Sequence, residues 1–146
     1  MAFRFSLEAV LRLRTSYERL EKLRLLAIGA MIVRLQEEIS AAASADAQAR
    51  GARREMLLRG ATSVELQFDA ARAAVRADIK NGFLQKLAAL QKQKVRQATA
   101  YQAARRKREL LEALRDRRLR EYQREQARRQ QQVLDELYLL RRPIFE

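Results

Sequence analysis

Cysteine, histidine and tryptophan are all missing from this chain, which also has only one proline and four glycines in 146 residues. Without cysteine there is no disulfide and no thiolate site, a composition that fits a reducing compartment. Without histidine the usual zinc ligands and the commonest general base are gone as well. No glycine-rich phosphate loop and no cluster of ligand or nucleophile residues takes their place. The expectation is therefore a protein that is not an enzyme and has no cofactor or metal. Long apolar runs are also lacking. The best, Leu25–Val33, is about half the roughly 20 residues a bilayer span needs. The segment between Arg4 and Arg12 is amphipathic rather than uniformly apolar, unlike a cleavable signal. Aromatic residues make up 6% of the chain, which leaves few rings for stacking on bases.

Alanine, leucine, arginine, glutamine and glutamate dominate instead, the composition of long helices or coiled coils. The chain turns on Gly60-Ala61-Thr62-Ser63-Val64-Glu65. Thr62 can cap a new helix with its hydroxyl, and Glu65, three residues on, can reach back to the cap's own N–H. Gly60 stands where an ending helix takes up a left-handed residue. A stop followed at once by a start predicts a helical hairpin. The same signal occurs in a helix-loop-helix of a globular α domain, but the flanking segments here are long and polar for a compact bundle. The predicted architecture is all-α: an antiparallel two-helix coiled-coil hairpin spanning 1–146, with helices over 6–58 and 63–140, a turn at 59–62 and a tail at 141–146.

The first helix opens with Ser6 as its candidate cap and Phe5 placed to staple onto Val10. A row at 3-4 spacing then runs Leu7, Leu11, Arg14, Glu18, Glu21, Leu25, Ile28, Ile32, Leu35, Ile39, Ala42. That is the spacing of a coiled-coil seam. Its middle is polar, and a second row (Val10, Leu13, Tyr17, Leu20) runs alongside that section, so the apolar face widens or rotates there. Ala41 to Ala49 is mostly alanine, which is either a close-approach seam or plain helix propensity. In the second helix Asn81-Gly82 could break the pattern, but Ile79, Phe83, Leu87 and Leu90 keep 3-4 spacing across it, and Pro143 stops the helix.

A turn centred near residue 61 places residue i opposite residue 122 minus i. This pairs Ile39 with Phe83, Leu35 with Leu87, Ile32 with Leu90 and Leu11 with Leu111, while Ile28 and Leu25 fall opposite Lys94 and Gln97, with Val95 and Ala98 one position away. Glu18 and Glu21 then face the stretch Tyr101 to Arg105, with Arg108 nearby. The second helix is the longer one, so about Arg117 to Leu140 is expected to overhang the start of the first. Arg117, Arg118, Arg120 and Arg124 make that stretch polar nearly all round, and such a helix needs side-chain pairs or a partner. Val133, Leu134, Leu137, Leu139 and Leu140, followed by Ile144 and Phe145, form an apolar cluster with no mate inside the hairpin.

Charge is uneven along the chain. The net charge is +13, and residues 83–130 carry 15 Lys or Arg against 5 Asp or Glu. Its peak, Arg105-Arg106-Lys107-Arg108, reads either as a solvated helix face or as a nucleic-acid patch.

The opening Phe3-x-Phe5-x-Leu7-x-x-Val10-Leu11-x-x-Arg14-x-x-x-Glu18 resembles that of FliJ-type proteins of the flagellar type III export apparatus. So do Gly60 followed by Val64-Glu65-Leu66, the segment Arg108-Glu109-Leu110-Leu111-Glu112-x-Leu114, and the close with Arg128-Arg129-Gln130 and Asp135-Glu136. The resemblance implies a hairpin similar to the central stalk of rotary ATPases, acting in flagellum biogenesis, protein transport and motility. It implies three partners: the hexameric flagellar export ATPase, the cytoplasmic domain of the export gate FlhA, and export chaperones, with no nucleic acid. It implies a cytoplasmic protein, peripheral at the inner membrane only through the export apparatus. By that likeness the end carrying both termini meets the ATPase, through Leu7, Leu11, Arg117, Arg118, Arg120, Arg124, Leu137 and Leu140. Positions matching the family's gate contacts, exposed either side of the turn, are Ala42, Ala45, Ala49, Arg72, Arg76, Ile79 and Phe83. Two readings from other classes stand beside it. One is a basic nucleic-acid-binding coiled coil, whose affinity would fall steeply with salt. The other is a membrane-surface helix at Met1–Arg14, weakened by Glu8 and by the fit of Leu7 and Leu11 to the seam.

Overall fold

The structure, a computed structural model, describes residues 2–143. Two helices account for nearly all of them: α1, Glu8–Arg59, and α2, Ser63–Arg141. They pack against each other, and among the described residues there is no strand. The chain divides into two compact units. One is formed by the chain up to Arg19 with the chain from Gln102 onward, the other by Leu20–Tyr101.

The turn belongs to the second unit and forms by local chemistry. Gly60 has φ +81°, the left-handed conformation that ends α1 without a side-chain clash. The Glu65 N–H donates to the Thr62 hydroxyl at 3.3 Å, and the Thr62 N–H donates to Glu65 Oε2 at 3.4 Å. The capping box is therefore closed on both sides. The Leu66 N–H donates to the Thr62 carbonyl at 3.1 Å, the first bond of α2. The helix runs unbroken through Asn81-Gly82.

In the same unit the antiparallel register is read off two ion pairs. Arg53 stands 3.6 Å from Asp69, and Arg76 stands 3.6 Å from Asp46. The residue numbers of each pair total 122, as the turn position requires. On the α1 side the covered residues are Glu21, Leu25, Ile28, Ile32, Leu35, Ile39 and Ala42, each half-buried or buried, and Asp46 and Ala49 continue the row. On the α2 side Leu66, Asp69, Ala73, Arg76, Lys80, Phe83, Leu87, Leu90 and Gln97 answer them. Nine residues of α1 thus share one stripe at 3-4 spacing, which is what keeps a seam facing its partner.

In the other unit Leu7, Leu11, Arg14 and Glu18 face Ala104, Arg108, Leu111, Leu114, Leu119 and Tyr122. The start of α1 departs from expectation. Ser6 does not act as its cap: its hydroxyl accepts a hydrogen bond from Arg118 Nη1 at 2.9 Å. The helix begins two residues later, after a turn in which the Glu8 N–H donates to the Phe5 carbonyl. Val10 is 39% exposed, while Phe5 is buried and lies under the Arg118 guanidinium, 5.6 Å from its ring centre. Phe3 meets Tyr122 at 5.5 Å between ring centres. The second row of α1 in this unit, Val10, Leu13 and Tyr17, lies outside the seam and is largely exposed. Glu18 keeps its place in the seam because it pairs across it with Arg108, and Arg14 is half-buried as well.

If the seam carries the stability, Leu35→Ala, at a position 7% exposed, lowers unfolding free energy by about 2–3 kcal/mol. Leu58→Ala, at 83% exposure, shifts it by less than about 0.5 kcal/mol. Thr62→Ala costs about 1 kcal/mol through the lost cap, and Gly60→Val costs more because valine resists a positive φ. Urea denaturation followed by circular dichroism measures all four.

Candidate functional site

Two regions of the described residues bear on the expected contact sites. The first is the end of α2. From Ala127 to Pro143 every residue is exposed. Val133, Leu134, Leu137 and Leu139 are 49–64% exposed, and Tyr138 and Leu140 reach 71% and 81%. Val133, Leu137 and Leu140 are 3-4 spaced and prolong the row of α2 that Leu119, Tyr122 and Gln126 occupy under cover. Arg128 and Arg129 pair with Glu125 at 3.0 and 3.4 Å, and the Gln131 amide donates to Asp135 at 2.9 Å. Such local pairs on an exposed helix add little, so the helix carries an apolar row that nothing among the described residues covers. Ile144 and Phe145 lie outside the described residues.

The uncovered stretch starts about ten residues later than the expected Arg117. The reason is the conformation of residues 2–5. A helix gains about 1.5 Å per residue and an extended chain about 3.3 Å. The residues before α1 are not helical, so each can reach further along α2 than a helical residue would. Phe3 and Phe5 use that reach to cover Tyr122 and Arg118. The aromatic pair Phe3-x-Phe5 ahead of the helix is the signal that would have placed the boundary.

The residues expected at this end separate into two sets. Leu11 is 6% exposed and Leu7 half-buried, so both are occupied by the seam. Arg118 is held by Ser6 and Phe5. Arg117 pairs with Glu121 at 3.5 Å, and Arg120 Nε donates to the Asp116 carbonyl at 3.4 Å; both side chains stay at the surface, as does Arg124. Leu137 and Leu140 are exposed.

The second region is a shallow groove between the helices near the turn. Ala42, Ala45, Asp46, Arg76, Ala77, Ile79 and Lys80 line it. It brings together four of the seven expected gate residues: Ala42, Ala45, Arg76 and Ile79. The expectation that all seven are exposed fails for Ala42, Ala49, Arg76 and Phe83, which sit half-buried on the seam. Arg72 instead stacks over Phe68, 4.6 Å from its ring centre. Asp46 is the charged centre of the groove. Its Oδ2 accepts from Arg50 Nη2 at 2.7 Å, while Arg76 Nε stays at 3.6 Å from Oδ1, too far for a hydrogen bond. The Arg50 hydrogen bond, followed by the fields of Arg50, Arg76 and Lys80, holds the Asp46 carboxyl below its ordinary value.

The basic run is less free than its sequence suggests. Arg105 is bound to Glu109 at 2.8 Å. Arg108 bonds Glu18 across the seam and Glu112 on its own helix, and these carboxylates raise its pKa still further. The expected meeting of Glu18 and Glu21 with Tyr101–Arg105 is thus shifted: Glu18 takes Arg108, and Glu21 accepts the Gln97 amide. No described helix is long and apolar enough to cross a membrane. Compared with models of known families, with curated proteins and with solved structures, the chain finds no match.

A carboxylate with a lowered folded pKa stabilises the fold above its unfolded value, and that contribution disappears as pH falls through the folded one. Melting temperature should therefore drop on acidification below about pH 4, the ordinary carboxylate range. In Asp46→Asn the drop should be smaller, and the variant should already melt slightly lower at neutral pH. A pH series of thermal melts compares the two.

Proposed function

We propose that this protein is a non-enzymatic stalk and adaptor of the flagellar type III export apparatus. In this reading it binds the hexameric export ATPase by the end that carries both termini and links it to the export gate FlhA and to export chaperones. The observation that carries the proposal is the α2 end, Ala127–Pro143, where a helix bearing an apolar row extends beyond the cover that the described residues give. A free hairpin gains nothing by exposing Val133, Leu137 and Leu140. A ring-shaped partner that surrounds the helix would cover them on all sides. The order of motifs along the sequence, from Phe3-x-Phe5 to Asp135-Glu136, resembles FliJ-type proteins and gives the partner its identity. A resemblance to the rotary ATPase central stalk belongs to the same reading, as does a place at the cytoplasmic side of the inner membrane.

Within it the contact residues are revised. Leu137 and Leu140, with Val133, supply apolar anchors, and Arg117, Arg120 and Arg124 supply electrostatic steering toward an acidic pore. Leu7, Leu11 and Arg118 hold the hairpin rather than touch the ATPase. The groove of Ala42, Ala45, Arg76 and Ile79 is the proposed gate side.

In a coupled assay with the purified export ATPase, Leu137→Glu/Leu140→Glu in the full chain should abolish stimulation of ATP hydrolysis while the helical signal stays unchanged. Reversing Arg117, Arg120 and Arg124 to Glu should weaken association, and by less as salt rises, because screened charges steer less. Full stimulation by the first variant, or loss of stimulation only on changes at Ala42–Arg76, would refute the proposal.

A further inference from the structure

Leu25–Val33 is nine residues of α1 without a charge or a polar side chain. A helix that is apolar all round asks for cover all round, and here α2 covers one side. The seam takes Leu25, Ile28 and Ile32. On the far side Leu23, Leu26 and Val33 are 58%, 60% and 54% exposed, and Ala27 and Ala30 are exposed with them. Leu23, Leu26, Ala30 and Val33 form a 3-4-3 row of their own. At 100° per residue it lies roughly 160° round the helix from the seam. In the sequence Arg19 precedes the row by four residues and Glu37 follows it by four, so the 3-4 spacing runs on into a charge at each end.

The row is its own complement when reversed. About Ile28, Leu23 is matched with Val33, Leu26 with Ala30, and Arg19 with Glu37. Each match sets an a position against a d position, the pairing that antiparallel coils use. Large meets small at the centre, and base meets acid at both ends. Small residues at a crossing let helix axes come to the near end of the usual 8–10 Å.

We infer that the outer face of α1 over Leu23–Val33 is a self-association surface, on which a second copy of this chain packs antiparallel with a two-fold axis near Ile28. The interface is isologous: the same patch serves both copies. A second copy fits better than an unrelated helix because both the apolar and the charged complement are already written in this row. The inference does not depend on the proposed function, and its test involves no ATPase.

Sedimentation equilibrium of the full chain should show a monomer that becomes a dimer with rising concentration. Leu26→Glu should remain monomeric throughout with an unchanged helical signal, since Leu26 is exposed in the single chain. Arg19→Glu should weaken the dimer several-fold, and adding Glu37→Arg should restore it. Because the chain has no cysteine, single cysteines report orientation cleanly. Ala27→Cys, next to the axis, should form an intermolecular disulfide under mild oxidation. Ser40→Cys, about 18 Å along the helix from the axis, should not. A monomer at every concentration, a dimer indifferent to Leu26→Glu, or equal crosslinking at both cysteines would overturn the inference.

Discussion

Two helices can hide only one stripe of each from water. That constraint governs this structure, where the buried apolar residues among those described are four: Phe5, Leu11, Ile32 and Leu35. Stability must come from a long series of half-covered contacts, so periodicity matters more than any single residue. A slip of one residue would move the whole 3-4 row off its partner. The row therefore has to be pinned, and ion pairs between half-exposed partners pin it: Arg53 with Asp69, Arg76 with Asp46, Arg108 with Glu18 and Arg115 with Glu8. The more exposed of these pairs contribute little free energy. Their value is that they fit one register and oppose the others.

The polar section of the seam follows the same logic. Arg14, Glu18 and Glu21 interrupt an apolar row, which costs stability relative to leucine but disfavours alternative pairings. Glu18 is answered by Arg108, itself tied to Glu112, and Glu21 by Gln97. The strong positive charge of α2 is in part consumed by these partners. What is left uncovered by a one-stripe fold is then informative: the apolar outer row of α1 and the last turns of α2 both exceed what a hairpin can use.

The sequence made the hairpin legible because turn and seam are local signals. Gly60, Thr62 and Glu65 act within six residues, and the row from Leu7 to Ala42 is a spacing that any reader can count. The start of α1 was less legible. Ser6 has the right chemistry for a cap, and only the position of Arg118, more than a hundred residues away, decides that its hydroxyl is used otherwise. The contacts of Phe3 with Tyr122 and of Phe5 with Arg118 moved the boundary of the overhang from Arg117 to Ala127. Exposure of the gate positions was misjudged for a different reason. Ala42, Ala49, Arg76 and Phe83 continue the counted row, and the count itself puts them on the inner face.

The central claim is that the uncovered α2 end is the one that meets the ATPase. Hydrogen–deuterium exchange of the full chain, alone and with the purified hexameric export ATPase, reads it residue by residue. The account predicts new protection concentrated over residues 127–143, which none of the described residues covers, with the turn unchanged. Protection confined to the neighbourhood of the turn, or none anywhere, would contradict it.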